Sequence, residues 1–233
     1  MSLPAKSRVT VIDDDKLGLE ALMDDLRDCD FEPMTVSGPF GTEVDRMVSE
    51  IQTQDPAFVI CDHKLQPLGL AAFYGLEVVR RLVEDSRPAM LLTMYQQTSR
   101  MRMDLRASRH LIPVIMGRGD FEAEAVAKYA EVCLREIRND PVDERRSHRS
   151  LIRVDWAEPS SETIDAVIGA WSPDHAITIP SSCIDPLIRP RITVGTYLMG
   201  DINVGADGED DLYFTNVNEI VEVQDIEGLS WPA

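Results

Sequence analysis

The chain has 233 residues, 44% of them hydrophobic and 27% charged, with a net charge of −18. That length suits two domains of ordinary size better than one, and the apolar runs are too short for a membrane span, so no membrane partner is expected. From residue 151 onward three Arg and no Lys stand against fifteen Asp and Glu, a balance of −12 that would repel phosphates, so no nucleic-acid partner is expected either.

The start, MSLPAKSRVTVIDDD, passes from a short polar lead into a strand-like segment without the apolar stretch of a secretory signal, which predicts a cytoplasmic protein. Strands are predicted at Val9 to Ile12, Met34 to Val36, Phe58 to Cys61, Met90 to Met94 and Pro113 to Met116. Helical spacing links Leu19, Leu22, Met23 and Leu26, then Val44, Met47, Val48 and Ile51, then Leu76, Val79 and Val83. A fourth helix is predicted over about 97–110, and a fifth is marked by Val126, Tyr129, Cys133 and Ile137. These βα units predict an α/β domain over 6–140 with a doubly wound, five-stranded parallel sheet of flavodoxin-like type.

Asn139-Asp140-Pro141 should stop the last helix, and the polar VDERRSHRS makes 141–150 read as a linker. Beyond it LIRVDW, AITIP, ITVGTYLMGDINV and DLYFTNVNEIVEV are β-rich. Residues 151–233 are therefore expected to form a smaller, acidic, mainly-β domain, a barrel or sandwich, with one helix near Ser161 to Ala170 and a turn at Ala206 to Asp210. Cys29, Cys61, Cys133 and Cys183 lie far apart with no Cys-x-x-Cys pair, and suit reduced core thiols better than disulfides or a zinc site.

Ligands of open parallel sheets bind at the carboxyl ends of the strands. There the first strand ends in Asp13-Asp14-Asp15, the third in Asp62, the fourth carries Thr93, and Gly117-Arg118-Gly119-Asp120 follows the fifth. Crowded carboxylates need a cation, and oxygen ligands of this kind suit Mg²⁺. With the ion screening an incoming phosphoryl group, Asp62 can attack phosphorus as a nucleophile while Thr93 and Arg118 hold the phosphoryl oxygens.

The segments VTVIDDD, FVICDHKL, GLEVVRRL, PAMLLTM and IPVIMGRGDF, in this order, resemble the receiver domain of bacterial response regulators. The resemblance implies a phosphoprotein of a two-component system or phosphorelay, taking its phosphoryl group on Asp62 from a histidine kinase or phosphotransfer protein. It makes Asp13, Asp14, Asp62 and the backbone carbonyl of Lys64 the metal ligands, and Thr93 the hydroxyl that follows the phosphoryl group in signal transduction. Such a domain catalyses only its own phosphorylation and dephosphorylation, and it implies dimer or output contacts, a homodimer among them, through the face from the fourth to the fifth helix.

Three features depart from the family pattern. LQPLGLAAFYG puts Pro67 five and Gly75 thirteen residues past Asp62, an enlarged loop that reads either as a lid or docking surface or as a tolerated insertion. Arg118 stands nearest the position of the family's lysine, a planar fork in place of a point charge, and Met94 follows Thr93 where the family has a small residue.

Arg102, Arg106 and Arg109 form a basic stripe on the fourth helix, read either as a solvated face or as a contact for an acidic partner, including the C-terminal domain itself. DINVGADGEDD lacks the glycine and glutamate of a calcium loop and reads as an acidic turn. His63 reads as a partly exposed structural histidine. Three functions remain open: a response regulator whose C-terminal domain contacts a protein output partner, a receiver-like scaffold subunit of a larger complex that works without phosphorylation, and a C-terminal enzyme switched by the N-terminal domain.

Overall fold

A computed structural model describes residues 3–93, 99–158 and 160–222. The chain divides into two compact units, Met1–Gln97 with Leu111–Pro141, and Thr98–His110 with Val142–Ala233.

The first unit is built on a parallel sheet of β1 (Arg8–Ile12), β2 (Glu32–Thr35), β3 (Phe58–Asp62), β4 (Ala89–Thr93) and β5 (Val114–Gly117), in the order β2-β1-β3-β4-β5. Phe58 to Cys61 and all of β4 are buried, which is why these strands read as unbroken apolar runs and not as alternation. Its helices are α1 (Lys16–Asp28), α2 (Val44–Gln54), α3 (Gly75–Glu84) and α5 (Val126–Ile137), while α4 (Ser99–Ser108) falls in the second unit. On one face of the sheet Val9, Val11, Phe58, Ile60 and Met90 pack with Leu22 and Leu26 of α1 and with Val126, Ala130 and Cys133 of α5. Residues of α2 and α3, Met47, Ile51, Val79 and Leu82, are fully buried, and Thr10 of β1 donates a hydrogen bond to Gln54 of α2 at 2.8 Å.

The fourth predicted helix forms, but as part of the second unit. Its sequence, SRMRMDLRAS, has few apolar residues, and its arginines find partners in that unit. Arg106 is 6% exposed; it donates to the Thr178 carbonyl at 2.5 Å and to Glu209 Oε1 at 2.8 Å, and reaches Asp210 at 3.4 Å. Arg109, also buried, pairs with Asp211, whereas Arg102 is exposed. For Arg106 and Arg109 the solvated-face reading is therefore corrected: the acidic partner is the turn at Glu209–Asp211. Burial works against ionisation of Glu209, but hydrogen bonds from His175 and Arg106 hold its carboxyl below the usual range.

The second unit carries an antiparallel sheet of β6 (His148–Ala157), β7 (Thr163–Ile168), β8 (Ser172–Pro180), β9 (Tyr197–Ile202) and β10 (Phe214–Val221), ordered β10-β9-β6-β7-β8. Ile152, Val154, Ile164, Ile177, Leu198 and Phe214 belong to its core. The helix expected near Ser161 to Ala170 is instead β7, because four of its six residues are β-branched and both of its edges are paired, Ile164 with Ala157 and with Ile179. The stretch read as a linker is tied into this unit. Arg145 is buried with its guanidinium 4.8 Å from the Tyr213 ring centre, the Tyr213 hydroxyl donates to its carbonyl at 2.6 Å, and β6 already begins at His148.

Candidate functional site

Because the strands are parallel and in register, their carboxyl ends share one rim. Ile12 lies opposite Cys61, Asp62 opposite Leu92, and Thr93 opposite Gly117. The residue after β1, the last residues of β3 and β4, and the residue after β5 thus converge: Asp13, Asp62, Thr93 and Arg118. One oxygen each from Asp13, Asp14 and Asp62 lies within 4.8 Å of the others, and among the described residues this is the only such grouping of three metal-ligating side chains.

Each carboxylate is aimed by a backbone amide. Asp13 Oδ1 accepts from the Asp15 amide at 2.9 Å, Asp14 Oδ2 from the Leu68 amide at 2.7 Å, and Asp62 Oδ2 from the Lys64 amide at 2.8 Å. Asp15, third of the acidic triplet, instead caps α1 by accepting from the Leu17 amide. Arg118 reaches across the pocket, pairing through Nη2 with Asp13 Oδ2 and standing 3.5 Å from Asp62 Oδ1 through Nη1. The Thr93 hydroxyl is buried at the same rim and has no hydrogen-bond partner among the described residues. Met94 lies outside the described residues.

Burial raises the Asp62 carboxyl to about 6, aided by the charges of Asp13 and Asp14 and opposed by the Lys64 amide and Arg118. The folded protein therefore holds this proton more tightly than the unfolded chain, so stability falls as pH rises from about 4 to about 6 and the full cost is present above that window. Asp62→Asn removes the charge. In chelator-treated protein at neutral pH it should stabilise the fold by about 2 kcal/mol, discounted for partial exposure, with the advantage vanishing toward pH 4. Urea midpoints across pH 4–8 check this, and an advantage constant with pH would remove burial as its cause.

The enlarged loop is not a loose insertion. Ala71 and Phe73 are buried, the Ala71 amide donates to Leu65 O at 3.0 Å, and the Phe40 and Ala72 amides tie it to Leu70 O and Gly41 O. His63 is 4% exposed, not partly exposed as expected, because the loop's end lays Tyr74 against it, the rings stacked at 5.0 Å. Sequence reasoning treated Gly75 only as a departure in spacing and missed Gly18. A Cβ on Gly75 would collide with the Asp62 carbonyl, and one on Gly18 would lie 2.5 Å from Arg118 Nη2. Two glycines near the acidic triplet and Asp62 were the available signal, but neither has meaning without the path of the atoms it makes room for.

The strand order β2-β1-β3-β4-β5 decides the architecture. The first unit is a doubly wound, flavodoxin-like α/β fold. Solved structures of similar fold include NtrX from Brucella abortus in complex with ADP, 18% identical with a TM-score of 0.42, where the match covers 57% of this chain and only 28% of that one. Others are the receiver domain of a modulated diguanylate cyclase from Desulfovibrio desulfuricans G20 (15% identical, TM-score 0.44, 57% of this chain and 98% of that one) and a response regulator receiver domain protein from Clostridium thermocellum (16%, 0.41, 57% and 98%). No family model matches the sequence, and no curated protein matches it. No helix among the described residues is long and apolar enough to cross a membrane.

Proposed function

We propose that residues 6–140 act as a phosphoacceptor switch, taking a phosphoryl group on Asp62 from a histidine kinase or phosphotransfer protein in the cytoplasm. Residues 151–233 would pass the signal to a protein partner. The observation that carries this reading is the convergence of three carboxylates, a buried hydroxyl with no partner among the described residues and an arginine on one sheet rim.

The donor set fits a small hard cation: Asp13, Asp14 and Asp62 oxygens are already gathered, and the Lys64 carbonyl follows by family resemblance. When bound, Mg²⁺ would supply positive charge against the phosphoryl oxygens. Asp62, its Oδ2 held by the Lys64 amide, presents Oδ1 to phosphorus; the new O–P bond forms as the donor's P–N bond to histidine breaks, and the imidazole leaves with the electron pair. Arg118, already 3.5 Å from that oxygen, would hold the transferred group, and the Thr93 hydroxyl, which has no partner among the described residues, would gain an acceptor in it.

The output route is covalent. Thr93 ends β4 and α4 begins at Ser99, so the chain that leaves the site leads into the helix whose arginines are seated on the acidic turn, and we take that helix as the element the switch would act on. A dimer built on Arg106 and Arg109 would first have to remove them from that turn. Incubation with phosphoramidate and Mg²⁺ should give a phosphoryl adduct by intact mass that Asp62→Asn lacks; equal, absent labelling of both would overturn the reading. The bridging of Asp13 and Asp62 by Arg118 favours a second reading, a scaffold whose pocket is neutralised internally and binds no divalent ion.

A further inference from the structure

We infer that Arg118 is a built-in competitor for the divalent ion, and that Gly18 is what lets it compete. The inference rests on the metal-binding reading of the site above and concerns what controls that site.

The three carboxylates each spend one oxygen on a backbone amide, an arrangement that directs the other oxygen into the common pocket. Of those pocket-facing oxygens, Asp13 Oδ2 is taken by Arg118 Nη2 and Asp62 Oδ1 faces Arg118 Nη1 at 3.5 Å. One guanidinium therefore spans two of the three carboxylates that the ion would use. Asp13 is nearly sealed, with a side chain only 3% exposed, so an ionised Asp13 needs some cation beside it, and the guanidinium serves in the absence of a metal. An ion that takes Asp13 and Asp62 must displace a charge-assisted hydrogen bond before it gains its own ligands.

The arginine reaches this position only because α1 offers no side chain in its way. At Gly18 an ideal Cβ would stand 2.5 Å from Nη2 and 3.2 Å from the guanidinium carbon of Arg118. Gly18 lies in the first turn of α1, three residues past the cap Asp15, where alanine would suit the helix better. The glycine is thus costly to the helix and useful to the guanidinium. Metal affinity is set by an equilibrium between an arginine-in pocket that excludes the ion and an arginine-out pocket that accepts it.

Isothermal titration of the full chain with Mg²⁺, and electron paramagnetic resonance with Mn²⁺, test this in the native protein, Arg118→Gln and Gly18→Ala. Both variants should bind about tenfold more tightly than the native protein, the factor expected if roughly nine molecules in ten keep the guanidinium in place. Arg118→Gln removes the competing charge and Gly18→Ala keeps it but denies it the space, so agreement between them separates competition from a general change in pocket charge. Far-UV circular dichroism reports whether each variant folds. Equal or weaker binding by both variants overturns the competition and leaves the metal-binding reading intact. Binding by none of the three proteins overturns both.

Discussion

Replacing Arg106 by methionine should free α4 from the second unit at a cost of about 3 kcal/mol, whereas Arg102→Met on the same helix should change stability by less than about 0.5 kcal/mol. The difference follows from what each guanidinium touches. Arg106 is buried and satisfies two main-chain carbonyls, Thr178 O at 2.5 Å and Glu209 O at 3.3 Å, together with the Glu209 carboxylate at 2.8 Å. Methionine fills similar volume but leaves those acceptors without a donor in a place water reaches poorly. The Glu209 side chain is 36% exposed, which lets water recover part of its loss and keeps the estimate at the low end for a broken buried pair. Lysine should not rescue the loss, because one ammonium cannot address Thr178 O and Glu209 from two separate nitrogens as the planar fork does. Amide hydrogen exchange over 99–108 is the decisive measurement, since it reads α4 without assuming that both units unfold together. Unchanged protection in Arg106→Met would mean that apolar packing and not the arginine holds the helix.

This clamp also marks where the sequence stops being informative. The stripe of Arg102, Arg106 and Arg109 is visible from helical spacing alone, and so is the acidic run at 207–211, but nothing local says that the two meet across a hundred residues of chain. The parallel sheet was legible for the opposite reason. Its central strands β3 and β4 are short apolar runs closed by a polar residue, and the period changes at the helices that follow, so strand order was the main thing left to find. Asp62 could be singled out because burying Phe58 to Cys61 forces the next residue to the rim. The segment 163–168 misled because Ile164, Val167 and Ile168 fit helical spacing as well as they fit a strand, and only pairing with β6 and β8 resolves it. Gly18 and Leu68 act through a guanidinium path and a backbone amide, and neither leaves a mark in composition or period.

Gly75→Ala should be the more damaging of two glycine substitutions near Asp62, by about 2–3 kcal/mol in stability and with slower phosphoryl labelling. Gly75 opens α3, and its amide donates to His63 O at 2.9 Å, so the helix start is pressed directly on the end of β3. A Cβ there would overlap the Asp62 carbonyl and stand 2.8 Å from Cys61 Sγ. Neither neighbour is the loose end of a flexible chain: one is backbone of a central strand and the other a fully buried thiol, so the helix itself must move and carry the strand end with it. Gly69→Ala supplies the contrast. Gly69 has φ +84° and open space around its Cβ position, so alanine there should cost about 1 kcal/mol through backbone strain alone and leave labelling unchanged. Urea denaturation and labelling rates on the two variants thus separate a demand for space from a demand for backbone freedom. If Gly69→Ala slowed labelling as much as Gly75→Ala, the loop, and not the contact of α3 with the end of β3, would be what holds the Asp62 carboxylate in place.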